Sequence, residues 1–151
     1  MSVRTANGTT GSGTSIASPI VAGIAAQLVA RAPTLASWPE AVRAVLTAGA
    51  WRRTPMPGGG TSTDHEGAGT ASALWSTRLL DNGPWGGWTA DSLDSPSDVE
   101  TTDVPVIAGQ AVRVALAWSS HTSGSDLGVV DSLTADLDLV VHAADGAVAA
   151  Y

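Results

Sequence analysis

The chain has 151 residues, of which 44% are hydrophobic, and this is enough for one domain with a core or for two partial ones. Its net charge is −7, it has no lysine, and only two of its seven arginines are adjacent, which excludes the basic patch that nucleic-acid binding needs. The absence of cysteine excludes disulfides, thiolate catalysis and thiolate metal sites.

The first 13 residues are rich in Gly, Thr and Ser and predict a loop with too few apolar side chains for a core strand. Because this opening is polar, it does not have the apolar segment of a signal peptide. The loop leads into an apolar run, 16–30, and we predict a helix over 15–31 that is buried on most faces and ended by Arg31 and Pro33. The run is shorter than the ~20 residues that a bilayer requires, so we expect no membrane partner.

Ser15 lies where the glycine-rich loop meets this predicted helix. Free backbone N–H groups and the positive end of the helix dipole point outward at such a position. A serine there can attack a carbonyl carbon, and the same N–H groups can stabilise the oxyanion that forms. The alternative interpretation is an N-cap, in which the Ser15 hydroxyl accepts a hydrogen bond from the first turn.

The residues around Ser15 form a specific motif, Gly13-Thr14-Ser15-Ile16-Ala17-Ser18-Pro19, which continues as Ile20-Val21-Ala22-Gly23. Eight of these eleven positions match the nucleophile motif of subtilisin-like serine proteases (subtilases), which the stretch therefore resembles. The resemblance implies that Ser15 is the acylated nucleophile of an endopeptidase acting on protein or peptide substrates. It also implies that Pro19 lies early in a buried helix and that Gly23 allows close packing.

Two further helices are predicted downstream. The sequence Ser37-Trp38-Pro39-Glu40 is typical of a capping box, and the helix that it opens continues to about Ala48, with Gly49 as its C-terminal stop. Residues 71–80 can form a third helix. This order resembles the subtilase pattern after the nucleophile, and Gly67 and Gly69 resemble a glycine pair that closes the catalytic domain.

The histidines and acidic residues give weaker signals. Asp64, His65 and Glu66 are consecutive in a predicted loop and point in different directions, so a metal or acid–base role is disfavoured. His142 at a strand end needs no function. Four aspartates offer oxygen ligands for calcium without a defined spacing, and solvated acids are the favoured interpretation. We therefore predict no cofactor; the four aspartates are Asp126, Asp131, Asp136 and Asp138.

The second half of the chain changes its pattern. Residues 82–102 are rich in Gly, Pro, Ser and Asp and predict a linker, with Trp85 and Trp88 packed at a domain junction. Alternating apolar residues then predict two strands, followed by a turn at Asp145-Gly146. The first strand carries Val112, Val114, Leu116 and Trp118, and the second carries Leu137, Leu139 and Val141. This arrangement resembles the β-sandwich (jelly-roll) domain that follows the protease domain in some subtilases.

The predicted fold class is therefore α/β, followed by a partial antiparallel β-sandwich. Residues 1–81 are the C-terminal part of a subtilase catalytic domain, mainly helices here; 82–102 are the linker, and 103–151 are an incomplete sandwich. Because the resembled family is mostly extracellular, the resemblance implies secretion.

The catalytic partners of Ser15 are expected outside the residues that resemble the family. In the subtilisin arrangement the Asp and the His precede the Ser along the chain. Only 14 residues precede Ser15 and none is Asp or His, while His65, His121 and His142 all follow it. We therefore expect a missing N-terminal region that carries the Asp and the His, and a chain that is inactive alone. Two alternatives stay open: a non-catalytic β-sandwich binding module and one half of a complementing pair.

Overall fold

The computed structural model describes residues 3–4, 8–11, 13–51, 67–84, 86–95, 98–107, 109–119 and 136–150. Its helices are α1 (Thr14–Arg31), a 3₁₀ helix (Pro33–Ser37), α2 (Pro39–Ala48) and α3 (Ala73–Leu79). Two short antiparallel hairpins pair β1 (Val3–Arg4) with β2 (Thr10–Gly11), and β3 (Val141–His142) with β4 (Val148–Ala150). The described part of the chain is thus mainly helical.

A small hydrophobic core lies where α1, the 3₁₀ helix and α2 meet. Its buried side chains are Ile24, Leu28, Leu35, Ala41 and Val45. Part of α3 packs against the edge of this cluster. Because a fully buried leucine is worth roughly 1.5–3 kcal/mol, Leu28 and Leu35 are its main apolar contributors. Elements that are close in the sequence therefore build this core.

The ends of the first two helices agree with the sequence analysis. Helix α1 ends at Arg31, directly before the turn that begins with Pro33, and α2 ends at Ala48 with Gly49 as its C-cap. Arg31 also forms an exposed salt bridge of 2.8 Å with Asp81. The predicted third helix is confirmed as α3, where the Ser72 hydroxyl caps the first turn by accepting a hydrogen bond from the Trp75 N–H.

The capping box predicted at the start of α2 is wrong. Ser37 is the last residue of the 3₁₀ helix, and Trp38 is the N-cap without a side-chain hydrogen bond. Pro39 is the first helical residue, the position where its fixed φ and missing N–H cost least. Since the 3₁₀ helix already holds Ser37 and Pro39 sets the start, the serine lies one residue too early to cap α2.

The prediction that α1 is buried on most faces is also wrong for this chain. Of its 18 residues only Ile24 and Leu28 are buried, while Ile20 is 41% exposed and Val21 is 39% exposed. The 3₁₀ helix, α2 and α3 are each short and cover one side of α1, so its other apolar side remains in contact with solvent.

The N-terminal residues form a minimal hairpin where we predicted only a loop. Val3 pairs with Gly11 and Arg4 with Thr10. Gly8, in the connecting segment, has a φ of 83°, a left-handed conformation that glycine adopts without strain. Because the ladder is two residues long, composition gave no strand pattern to detect.

The predicted linker contains no helix and only an isolated bridge between Gly83 and Gly86 within its described residues. Trp88 and Ala90 pack against the helical core. Trp88 thus contacts the helical core, its position at a domain junction stays a prediction, and Trp85 lies outside the described residues. This segment adds a partial cover to the helices.

The described residues show no β-sandwich. The first predicted strand, 112–118, belongs to neither hairpin, and Val112, Val114 and Leu116 are 53%, 42% and 41% exposed. The second is reduced to Val141–His142 in β3. The physical reason is that the backbone N–H and C=O groups of a strand need a neighbouring strand for their hydrogen bonds. The alternation of apolar residues shows only that a segment could form such a strand.

The turn predicted at Asp145-Gly146 is confirmed. Gly146 has a φ of 82°, and its N–H donates to the Ala143 carbonyl at 2.9 Å. The Asp145 carboxylate accepts a hydrogen bond from the Ala147 N–H. This local chemistry folds the C-terminal hairpin without a surrounding sheet.

Candidate active site

The backbone at Gly13 starts the turn that carries Ser15. Gly13 is the N-cap of α1, with φ 138° and ψ 163°. Only glycine adopts this region without strain, because a Cβ atom would collide with its own backbone. The glycine of the motif is therefore required by the geometry of the helix start.

Ser15 lies in the first turn of α1, one residue after the first helical residue, and its side chain is exposed. No side-chain hydrogen bond caps this helix. The interpretation of Ser15 as an N-cap is therefore wrong, because Gly13 holds that position. The hydroxyl of Ser15 remains available at the helix N-terminus.

The N–H groups of the first turn divide into two pairs. Those of Ile16 and Ala17 both donate to the Gly13 carbonyl, each at 3.1 Å. Those of Thr14 and Ser15 donate to no backbone acceptor among the described residues. Unpaired N–H groups at a helix N-terminus, with the positive pole of the dipole behind them, are suited to hold an anion beside the Ser15 hydroxyl.

Pro19 lies inside α1, four residues after Ser15. Because proline has no N–H, it cannot make the usual helical hydrogen bond to the Ser15 carbonyl. The carbonyl of Ser15 therefore lacks the hydrogen bond that an ordinary residue at position 19 would donate to it.

Gly11 and Ile16 place the Ser15 turn against the N-terminal hairpin. A Cβ atom on Gly11 would lie 2.4 Å from Cδ1 of Ile16, so the isoleucine side chain lies directly over the β2 backbone. The close packing implied for Gly23 is not found, since a Cβ atom there would have no neighbour within 4 Å. The sequence analysis predicted close packing at Gly23, which has open space around it, and did not identify Gly11, which is in close contact with Ile16.

The candidate acid–base residues are only partly described. Asp64, His65, Glu66, His121, Asp126 and Asp131 lie outside the described residues. His142 is exposed in β3, with Nδ1 3.2 Å from the Gly146 carbonyl oxygen. Within the described part of the chain, no group of three or more His, Asp or Glu side chains could hold a metal. The absence of a cofactor stays a prediction, with calcium at Asp136 and Asp138 as the disfavoured alternative.

The length and composition of α1 bear on the expected absence of a membrane partner. Its 18 residues have a mean hydropathy of 1.2, so by these two measures it could cross a membrane. Core helices of soluble proteins and signal sequences have the same character, so this is weak evidence, and only the described residues enter it.

Comparison with known proteins gives one match. The family model of the subtilase family matches residues 2–78, which include β1, β2, α1, α2, Ser15 and all of α3 except its last residue. Neither the comparison with curated proteins nor that with solved structures found a match. The matched residues make up just over half of the 151-residue chain. The chain therefore belongs to the subtilase family.

Proposed function

We propose that Ser15 is the nucleophile of a serine endopeptidase that hydrolyses peptide bonds through an acyl-enzyme. The observation that carries this proposal is the position of Ser15 in the first turn of α1. Its side chain is exposed, Gly13 takes the cap position, and the Thr14 and Ser15 N–H groups have no backbone acceptor among the described residues. Membership of the subtilase family supports the same reaction class.

The chemistry assigned to this turn has two steps. In the first, the Ser15 oxygen bonds to the carbonyl carbon of the substrate, its proton passes to a base, and the amine leaves with that proton. In the second, water attacks the Ser15 ester, releases the acid and restores the hydroxyl. The negative oxygen formed in both steps would be stabilised by the free N–H groups at the N-terminus of α1.

The proposal requires a base that the described residues do not bring to Ser15. No hydrogen bond joins its hydroxyl to a histidine or a carboxylate in the described part of the chain. In the family arrangement the Asp and the His precede the Ser. We therefore place both partners in a further polypeptide region that packs on the exposed side of α1, where Ile20 and Val21 lie.

The chain alone is accordingly expected to be inactive or nearly so. A serine hydroxyl without a base is a poor nucleophile, and loss of triad members lowers the rate by several orders of magnitude. Complementation by a second chain that carries the Asp and the His would satisfy the same requirement. Secretion of the complete enzyme is part of this proposal and rests on the family alone.

A fluorophosphonate probe tests the assignment, with the adduct located by mass spectrometry. In the complete or complemented enzyme we expect stoichiometric labelling at Ser15, abolished by Ser15→Ala. Ser18→Ala is the matched control, because Ser18 is an exposed serine of the same helix, and it should leave labelling unchanged. Labelling that survives Ser15→Ala would overturn the proposal.

The same probe applied to the 151-residue chain alone tests the missing base. We expect no labelling from a soluble, helical chain. Stoichiometric labelling at Ser15 would instead mean that a base comes from His65, His121, His142 or a second copy, and would contradict the requirement for a further region.

A further inference from the structure

Residues 113–119, here called the strap, contact both ends of α2. At the C-terminal end of the helix, Nη1 of Arg113 donates hydrogen bonds to the carbonyls of Ala48, at 3.4 Å, and of Ala50. At the other end, the Ser119 hydroxyl donates to the Glu40 carboxylate in the first turn. The strap therefore joins the two ends of α2 and has the opposite chain direction to the helix.

The length of the strap fits this path. Ten helical residues rise about 15 Å, and six residues of stretched chain reach at most about 20 Å. Six residues in a helix would rise only about 9 Å. An open backbone between Arg113 and Ser119 can therefore cover α2, which agrees with the absence of helix in this segment.

The two rows of side chains on the strap differ in exposure. Ala115 and Ala117 lie in the same row as Arg113 and Ser119, and both alanines are half-buried. Val114 and Leu116, which alternate with the two alanines, are 42% and 41% exposed, whereas Trp118 is half-buried and the anchors Arg113 and Ser119 are exposed. Between the two anchors, the alanines are therefore better covered than Val114 and Leu116, and they alternate in the same phase as the residues that reach α2.

The chemistry at the C-terminal end explains the anchor. The last carbonyls of a helix lack intrahelical partners and carry the negative end of its dipole. A guanidinium satisfies both needs, since it brings a positive charge and several N–H donors. Arg113 therefore caps the last carbonyl of α2, that of Ala48, and also binds the Ala50 carbonyl just beyond the helix, 63 positions earlier in the chain.

We propose that residues 113–119 are a strap that fastens the C-terminal region to α2. Ala41 and Val45 of α2 pack in the same core as the buried residues of α1. The strap therefore also stabilises the position of the helix that carries Ser15. The first predicted strand of the second domain then overlaps a segment that is bound to the helical region. This inference does not depend on the catalytic role of Ser15.

Thiol labelling tests the strap directly, because the chain has no native cysteine. We compare Ala115→Cys, at a half-buried position in phase with the two anchors, with Leu116→Cys at an exposed position. The thiol at 115 should react about three- to tenfold more slowly than that at 116, as expected for an exposed segment held by a few polar contacts. Equal rates in the otherwise unchanged chain would overturn the proposal.

The anchors are then removed one at a time. Arg113→Ala should bring the two labelling rates together, whereas Arg43→Ala should preserve the difference, because Arg43 is exposed on α2 and contacts neither carbonyl. If Arg113→Ala loses its helical circular dichroism signal, Ser119→Ala replaces it and should reduce the difference. A difference that survives removal of both anchors would contradict the strap.

Discussion

The helical region, residues 14–90, and the C-terminal region, residues 98–150, are both rich in apolar side chains, but their described residues pack very differently. All buried side chains of the described residues lie in the helical region, from Ile24 to Ser76. Among the described residues, ten of the fifteen large apolar side chains that are exposed lie at or after Val99. Apolar side chains therefore form a core in the helical region and remain exposed to solvent in the C-terminal region.

The difference comes from where each kind of element finds its partners. A helix satisfies its backbone internally, so α1, the 3₁₀ helix and α2 need only short turns to bring their apolar sides together. A strand depends on neighbours for its hydrogen bonds, and an isolated two-stranded hairpin is marginal. The C-terminal region has one such hairpin in its described residues and no second layer to cover its valines and leucines.

The comparison is tested most strongly by truncating one leucine in each region. Leu28→Ala should lower the free energy of unfolding by about 2–5 kcal/mol, since Leu28 is fully buried in the core. Leu116→Ala should change it by less than about 0.5 kcal/mol, because that side chain is exposed. Urea denaturation followed by helical circular dichroism measures both. Similar costs would mean that the C-terminal region has a core of its own.

The helical region was predictable because its signals are local. The positions of Arg31, Pro33 and Gly49 marked the helix ends within a residue or two of their observed places. The motif around Ser15 predicted a helix N-terminus correctly. The same sequence could not show that the N-cap is Gly13, since glycine and serine are both common there.

The long-range features were not predictable from local pattern. Nothing in the sequence near Arg113 indicates that it contacts Ala48 and Ala50, because the contact depends on how the intervening chain returns to α2. The burial of α1 was overestimated for a related reason. The apolar composition of α1 is typical of a helix that is packed on all sides, whereas the other described helices pack against one side of it.

A pair of glycine substitutions compares a closely packed position with an open one in the helical region. A Cβ atom on Gly49 would lie 2.6–2.8 Å from the hydroxyl, backbone nitrogen and Cα of Ser76 in α3. Gly49 has a right-handed φ of −78°, which any residue can adopt. Glycine is therefore needed here because α2 and α3 approach closely, and not because of the backbone conformation. Gly49→Ala should therefore lower the free energy of unfolding by about 1–3 kcal/mol through overpacking.

Gly23→Ala is the matched control, because a Cβ atom there meets nothing within 4 Å. In the middle of α1 it should raise the free energy of unfolding by about 0.5–1 kcal/mol, since alanine loses less backbone entropy than glycine in a helix. Thermal or urea unfolding of the two variants gives the sign of each effect. A destabilising Gly23→Ala would show that α1 is packed against something at this position.

The smallest expected effect lies where the two regions meet at Glu40. The pKa of Glu40 is lowered, chiefly because the Ser119 hydroxyl donates a hydrogen bond to its ionised carboxylate, with smaller contributions from the backbone and from Arg43. A folded-state pKa below the unfolded value makes the contact stabilising above the unfolded pKa, and this contribution is lost as the pH falls through the folded pKa. Acidification should therefore loosen this end of the strap.

An NMR titration of the Glu40 carboxyl carbon measures the effect. Ser119→Ala should raise the pKa of Glu40 toward its ordinary value, and Arg43→Ala should raise it by less, because a charge on an exposed surface is screened by water and salt. The opposite order would mean that the carboxylate responds to its own helix more than to the strap. The expected order would show that the C-terminal region, although it has no core of its own among the described residues, changes the chemistry of a helix that lies 79 residues earlier in the chain.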